Sequence, residues 1–186
     1  MDVYNYDIKR FLTEHLPVDY PMYMHLLKNL TASDSLLNKT MPTLEQQPFK
    51  NIITIENLFK KLSARPENKI DIVAVCFSLD TYQIEQVGII EFYKAFNYVH
   101  SKYSLLIERE NLILGYEADS DELEAGIDKM IKFGRIATVD TLSGGNILQH
   151  TQIIELPYKR IFTKLQLDKT KAEIQKSLQK IKSKKE

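Results

Sequence analysis

Along most of the chain the apolar residues recur every three or four positions, the spacing of helices that bury one face. VYNYDIKRFLTEHL carries Val3, Ile8, Phe11 and Leu12 and is stopped by Pro17. YPMYMHLLKNL follows, with Tyr23, Leu27 and Leu30 on one side. Residues 31–49 lose the period and gather Ser, Asn, Thr and Pro. They are expected to form a mobile connecting loop with too little apolar surface to offset ordering.

Beyond that loop the pattern becomes denser. TIENLFKKL predicts a helix with Thr54 as its N-cap, and SARPENK a loop. IDIVAVCFSLDTY fits a buried strand by its β-branched content and a buried helix by its length; helix is preferred. In IEQVGIIEFYKAFNYVHSKY, Ile84, Gly88, Phe92, Ala95, Phe96 and Val99 share a helical face, whereas YSLLIERENLILGYE reads as extended segments. DSDELEAGIDKMIKF predicts a helix capped by Asp119 or Ser120, with Glu122 in its first turn and Gly134 as its stop. Its expected buried stripe is Leu123, Ile127, Met130 and Ile131. RIATVDTL and NILQHTQIIEL then alternate around Ser143-Gly144-Gly145-Asn146, the pattern of a β-hairpin whose tip needs positive φ. The chain closes on a helix with Leu167, Ile174, Leu178 and Ile181 at near-heptad spacing.

The expected fold class is mainly α with a small β component (α+β). A helical N-terminal segment and connecting loop occupy residues 1–49, a core residues 50–162, and a basic amphipathic helical tail residues 163–186. Residues 70–157 carry the order helix, helix, short strand, capped helix, hairpin. With SDELEAGIDKMIKFGRIATVDTLSGGNILQHTQIIELP as its most specific part, this order resembles a winged-helix domain. In size and element order the chain also resembles the winged-helix accessory subunits of bacterial SMC-type complexes and the middle components of ABC-type three-component defence systems. That resemblance implies a non-catalytic interaction or adaptor subunit of a larger assembly, with a protein partner in a hetero-complex or homo-oligomer.

Charge sharpens this picture. The net charge is zero, but residues 164–186 hold eight Lys against Asp168, Glu173 and Glu186, while residues 108–128 hold eight carboxylates and one Arg. A winged helix that reads DNA needs Lys and Arg on its recognition helix to neutralise phosphates. Here that helix carries Asp119, Asp121, Glu122, Glu124 and Asp128, so it is expected to face protein and not a duplex. These carboxylates and the tail stripe Leu167, Ile174, Leu178 and Ile181 are the candidate partner-binding residues. The alternative is a nucleic-acid binder, or a subunit of a DNA-associated complex, whose phosphate contacts come from Lys176, Lys180, Lys182, Lys184 and Lys185.

Candidate chemistry changes little. His15, His25, His100 and His150 lie far apart without ligand spacing, and the carboxylates at 117–128 lack the calcium-loop pattern, so no metal is expected. Cys76, the single cysteine, sits between Val75 and Phe77 and reads as a core residue. SGGN leads into a predicted strand and not into the helix N-terminus that a phosphate loop needs. No catalytic residue, cofactor or small-molecule substrate is expected. The lone cysteine, the lack of a signal-like N-terminus and the lack of any long apolar run predict a cytoplasmic protein without membrane insertion. The sequons at Asn29 and Asn38 are then chance matches.

Overall fold

The structure, a computed structural model, describes residues 8–13, 20–116, 118 and 120–183. It is mostly helical, with one two-stranded antiparallel sheet, as the fold class anticipates. The chain divides into two compact units, Met1–Leu106 and Ile107–Glu186.

The first unit holds helices α1 (Ile8–Thr13), α2 (Tyr20–Lys28), α3 (Phe49–Lys60), α4 (Asn68–Phe77) and α5 (Thr81–Glu85), and most of α6 (Ile89–Leu114). Its core draws one face from each: Ile8 and Phe11; Leu27; Phe49, Ile52 and Ile55; Ile72, Val73 and Cys76; Ile84; and Phe92, Ala95 and Val99. Ile84 and Phe92 are both buried, but not on the one helical face expected: residues 86–88 separate α5 from α6 and leave Gly88 exposed. The buried polar groups are hydrogen-bonded. Gln47 donates to the Cys76 carbonyl at 3.0 Å, Asn51 to Gln47 Oε1 at 3.0 Å, and Asn68 to the Leu58 carbonyl at 3.2 Å. Asn97 of α6 donates to the Leu27 carbonyl at 2.9 Å, tying down the C-terminal end of α2.

Residues 70–77 are helical, within α4, and 78–80 link it to α5. Ser78, at φ 51°, closes α4, with its own N–H on the Val75 carbonyl and the Leu79 N–H on the Ala74 carbonyl. Cys76 is fully buried, and burial pushes its thiol up to about 12. A thiol so shielded is a packing group.

Three local expectations for this unit are corrected. Residues 31–49 are not a bare loop: β1 (Ser35–Leu36) pairs with β2 (Lys39–Thr40) across a Leu37-Asn38 turn at φ 48° and 60°. Leu36, Met41 and Leu44 from this segment are buried, and that burial offsets its ordering. Thr54 is not a cap but lies mid-helix, its hydroxyl donating to the Lys50 carbonyl, since α3 already starts at Phe49 behind Pro48. Residues 103–114 are not extended. They continue α6 because Glu108, Arg109, Glu110 and the leucines are good helix formers, and the local apolar triplet Leu105-Leu106-Ile107 is no strand signal once the helix propagates through it.

Lys69 is the unusual charge of this unit. Its ammonium donates to Tyr93 Oη at 3.3 Å and lies 5.1 Å from the Tyr93 ring centroid and 5.5 Å from that of Phe96. Burial, and then repulsion from Lys28, push its pKa down to about 8. Between that value and the ordinary 10.5 the unfolded chain binds more protons than the folded one, so this group's penalty is full below pH 8 and fades as pH rises toward 10.5. Lys69→Met is therefore expected to raise the urea midpoint at neutral pH, with a gain that shrinks in alkaline buffer. An equal gain at both pH values would show that the charge of Lys69 is not what costs stability.

The second unit holds the end of α6, α7 (Ser120–Glu124), a 3₁₀ segment (Ile127–Phe133), α8 (Arg135–Leu142), a second 3₁₀ turn (Ile147–Gln149), α9 (His150–Glu155) and α10 (Tyr158–Ser183). The predicted hairpin is overturned, because both of its arms are helical. Gly144 and Gly145 do take positive φ, at 63° and 78°, but as the C-terminal cap of α8. The Gly145 N–H bonds the Asp140 carbonyl at 2.9 Å and the Gly144 N–H the Thr141 carbonyl at 3.1 Å. A glycine pair with positive φ suits a helix cap and a hairpin tip equally. Ile136, Val139 and Leu142 lie three apart, which fits a helical period and breaks a strict alternation. The wing on which the winged-helix resemblance rested is thus a pair of packed helices, α8 on α9.

Candidate interaction surface

Three side chains from distant positions anchor the second unit. Arg135, at the start of α8, donates both guanidinium nitrogens to Glu110 of α6, Nη1 to Oε1 at 2.9 Å and Nη2 to Oε2 at 2.8 Å, with both side chains about 15% exposed. The Tyr158 hydroxyl, at the start of α10, donates to Glu110 Oε1. Burial, and then the hydrogen bond to Glu110, push the Tyr158 phenol well above its ordinary value, so it stays a donor. Arg109 covers the Phe162 ring at 4.8 Å, and Lys169 Nζ donates to the carbonyls of Ile113 and Gly115 at 3.0 and 2.8 Å, capping the end of α6 with a cation. These contacts seat the first half of α10 on the end of α6.

Past Lys169 the helix has little to pack against. Residues 170–183 are all exposed, and Leu167, Ile174, Leu178 and Ile181 remain 48–55% exposed. At 100° per residue these four form one stripe, with Lys171 and Lys182 bordering it on one side and Thr170 and Ser177 on the other. Lys176 and Lys180 point away from the stripe, and Lys184 and Lys185 lie outside the described residues.

The acidic helix differs from its expected form. It breaks at Gly126, φ 85°, into the short α7 and a seven-residue 3₁₀ segment that ends at Gly134, φ 50° and ψ −134°, a conformation that favours glycine. Because 3₁₀ winding eclipses residues i and i+3, Ile127, Met130 and Phe133 line up in a single row. The predicted stripe is not buried: Leu123, Ile127, Met130 and Ile131 are 56, 40, 52 and 78% exposed, and Phe133 is 48% exposed. Asp121, Glu124 and Asp128 are exposed in this segment, as are Lys129 and Lys132, the latter 5.0 Å from the Phe133 ring centroid; Glu122 is half-buried, and Asp119 lies outside the described residues. The sequence correctly marks the residues of the segment as a unit but assigns its apolar side to the core, since periodicity reports amphipathicity and not what covers the apolar side.

Ile147 and Leu148, in the turn before α9, are 74 and 85% exposed, and Ile136 of α8 is 53% exposed. Sequence reasoning missed them by placing them in a hairpin. Nor did it find the cluster of Glu110, Arg135 and Tyr158, whose members are too far apart in the chain to form a motif. Only Val139, Tyr158, Ile161 and Phe162 are buried large apolar or aromatic residues among the described part of this unit, whereas most of the exposed large apolar side chains among the described residues lie here. Among the described residues, no group of His, Cys, Asp and Glu is placed to hold a metal ion, and no helix is long and apolar enough to cross a membrane. No family model matches the chain, and neither a curated protein nor a solved structure matches it.

Proposed function

We propose that the chain is a non-catalytic interaction subunit of a larger cytoplasmic assembly, and that its 107–186 unit is the docking part. The observation that carries this reading is the exposure of two ordered apolar tracks in one small unit, the Ile127/Met130/Phe133 row and the α10 stripe. Scattered exposed apolar residues are ordinary, but contiguous ones mark interaction surfaces. The distal half of α10 adds a physical argument, because an isolated helix of about a dozen residues is marginal in water and gains stability by docking its apolar side. Phosphate contacts through Lys176, Lys180 and Lys182 form the competing reading. The apolar stripe on the same helix weighs against it, as a helix that only tracks phosphates has no use for one.

The test substitutes Ile127→Asp and Met130→Asp together in the full chain. Both positions are exposed, so folding is expected to be intact by circular dichroism and urea midpoint. Assembly should be lost, whether it is read as a stoichiometric partner retained from the native source or as the oligomeric state. Unchanged assembly on both readouts, or DNA binding that is strong, falls with salt and is lost on Lys180→Glu with Lys182→Glu, would overturn the reading.

A further inference from the structure

We propose that the first unit holds a binding site for a small zwitterion, a free α-amino acid with an aliphatic side chain, in the cleft between the β1–β2 hairpin and α6. The cleft measures about 520 Å³, within the range of small-molecule sites, and Ser33, Leu37, Asn38, Thr40, Glu91 and Lys94 line it. Its walls are held in place by the protein itself. The Ser33 N–H bonds the Lys94 carbonyl at 3.1 Å, the Met41 N–H closes the base of the hairpin on the Asp34 carbonyl at 2.8 Å, and Lys39 Nζ donates to the Ser78 carbonyl at 2.9 Å.

Charge selects the ligand. Glu91 and Lys94 lie three apart on α6 and both line the cleft. Among the described residues neither the carboxylate nor the ammonium has a hydrogen-bond or ion-pair partner, and they do not pair with each other. An anion drawn to Lys94 meets the repulsion of Glu91 beside it, and a cation drawn to Glu91 meets that of Lys94. A ligand of both signs gains from both groups, its ammonium on Glu91 and its carboxylate on Lys94. The Asn38 amide and Thr40 hydroxyl, which make no side-chain hydrogen bond among the described residues, are further partners. A nucleobase would want an aromatic face to stack on, and none of the described residues lining the cleft offers one.

Leu37 is an independent sign. It takes the left-handed conformation, φ 48°, at the first of two positive-φ positions in the hairpin turn. Asparagine or glycine is favoured there, and a leucine is strained. Burial does not compensate, since Leu37 is 45% exposed. Stability alone would not place a leucine at this position, whereas an apolar wall for the side chain of a ligand would.

Titrating the full chain separately with free leucine, glycine, N-acetyl-leucine and leucinamide, followed by backbone amide chemical shifts, tests this. Leucine is expected to bind with a roughly millimolar Kd, as suits an open cleft, and to move the amides of residues 33–40 and 91–94. N-acetyl-leucine and leucinamide each lack one charge and should bind roughly tenfold more weakly, and glycine, without a side chain to meet Leu37, more weakly than leucine. Glu91→Gln should remove the preference for leucine over N-acetyl-leucine, and Lys94→Met the preference over leucinamide. Leu37→Gly should raise the urea midpoint by relieving the turn while weakening leucine severalfold, which separates a lost contact from a lost fold. Amides of residues 33–40 and 91–94 that stay unmoved up to the solubility limit of leucine would overturn the proposal. So would equal binding of leucine and its two singly charged forms, or a Leu37→Gly chain that is less stable or binds leucine as well as the parent.

Discussion

Glu110→Ala is expected to destabilise the 107–186 unit by about 3 kcal/mol, a typical cost of removing one partner from a largely buried ion pair. Two groups lose this acceptor at once. Arg135 has both guanidinium nitrogens on this carboxylate, and the Tyr158 hydroxyl donates to it as well. The bare pair is not what stabilises the unit, since desolvating two charges consumes most of their attraction. The loss comes from removing the carboxylate that the guanidinium and the phenol both bond, in a site only about 15% exposed. Glu110→Gln should cost less, because its amide oxygen still accepts from Tyr158. Glu110→Leu with Arg135→Met should recover most of the loss by removing both charges together. Urea denaturation followed by amide exchange in α8 and α10 checks this. A loss under about 1 kcal/mol for Glu110→Ala would mean that water replaces the carboxylate and that the cluster is only a surface pair.

The same cluster shows which parts of the molecule could be read from its sequence. Helices with one dense apolar face were legible: Phe92, Ala95 and Val99 lie in the core as their spacing implies, and Cys76 is buried as its neighbours suggest. Glu110, Arg135 and Tyr158 were not, because each is unremarkable alone and only the packing of α6, α8 and α10 brings them together. Residues 134–157 were misread for a different reason. Gly144-Gly145 supplies positive φ to either a hairpin tip or a helix cap, and the choice is made by the Asp140 and Thr141 carbonyls that need partners. The acidic segment failed at a third level, since its amphipathic pattern was real but the covering surface was assumed. Where a stripe stays open, as at Leu123, Ile127, Met130 and Ile131, sequence reasoning that equates apolar with buried points to the core instead of the docking surface.

Ending the chain after Glu173 should separate folding from assembly more sharply than any point substitution. The contacts that seat α10, namely Tyr158 on Glu110, Arg109 over Phe162 and Lys169 on the Ile113 and Gly115 carbonyls, all lie before the cut. Residues 174–183 are exposed throughout, so their removal is expected to shift the urea midpoint by no more than a surface substitution does, within about 0.5 kcal/mol. Association should respond very differently. The cut removes Ile174, Leu178 and Ile181, each about half-exposed in the single chain. Burying the exposed half of such a side chain is worth about 1 kcal/mol, so the three together weaken binding by roughly 100-fold. Analytical ultracentrifugation of the parent and shortened chains, beside their urea curves, reads both quantities. A shortened chain that unfolds much more easily would show that the distal helix packs onto its own unit. One that assembles as tightly as the parent would remove the α10 stripe from the interface.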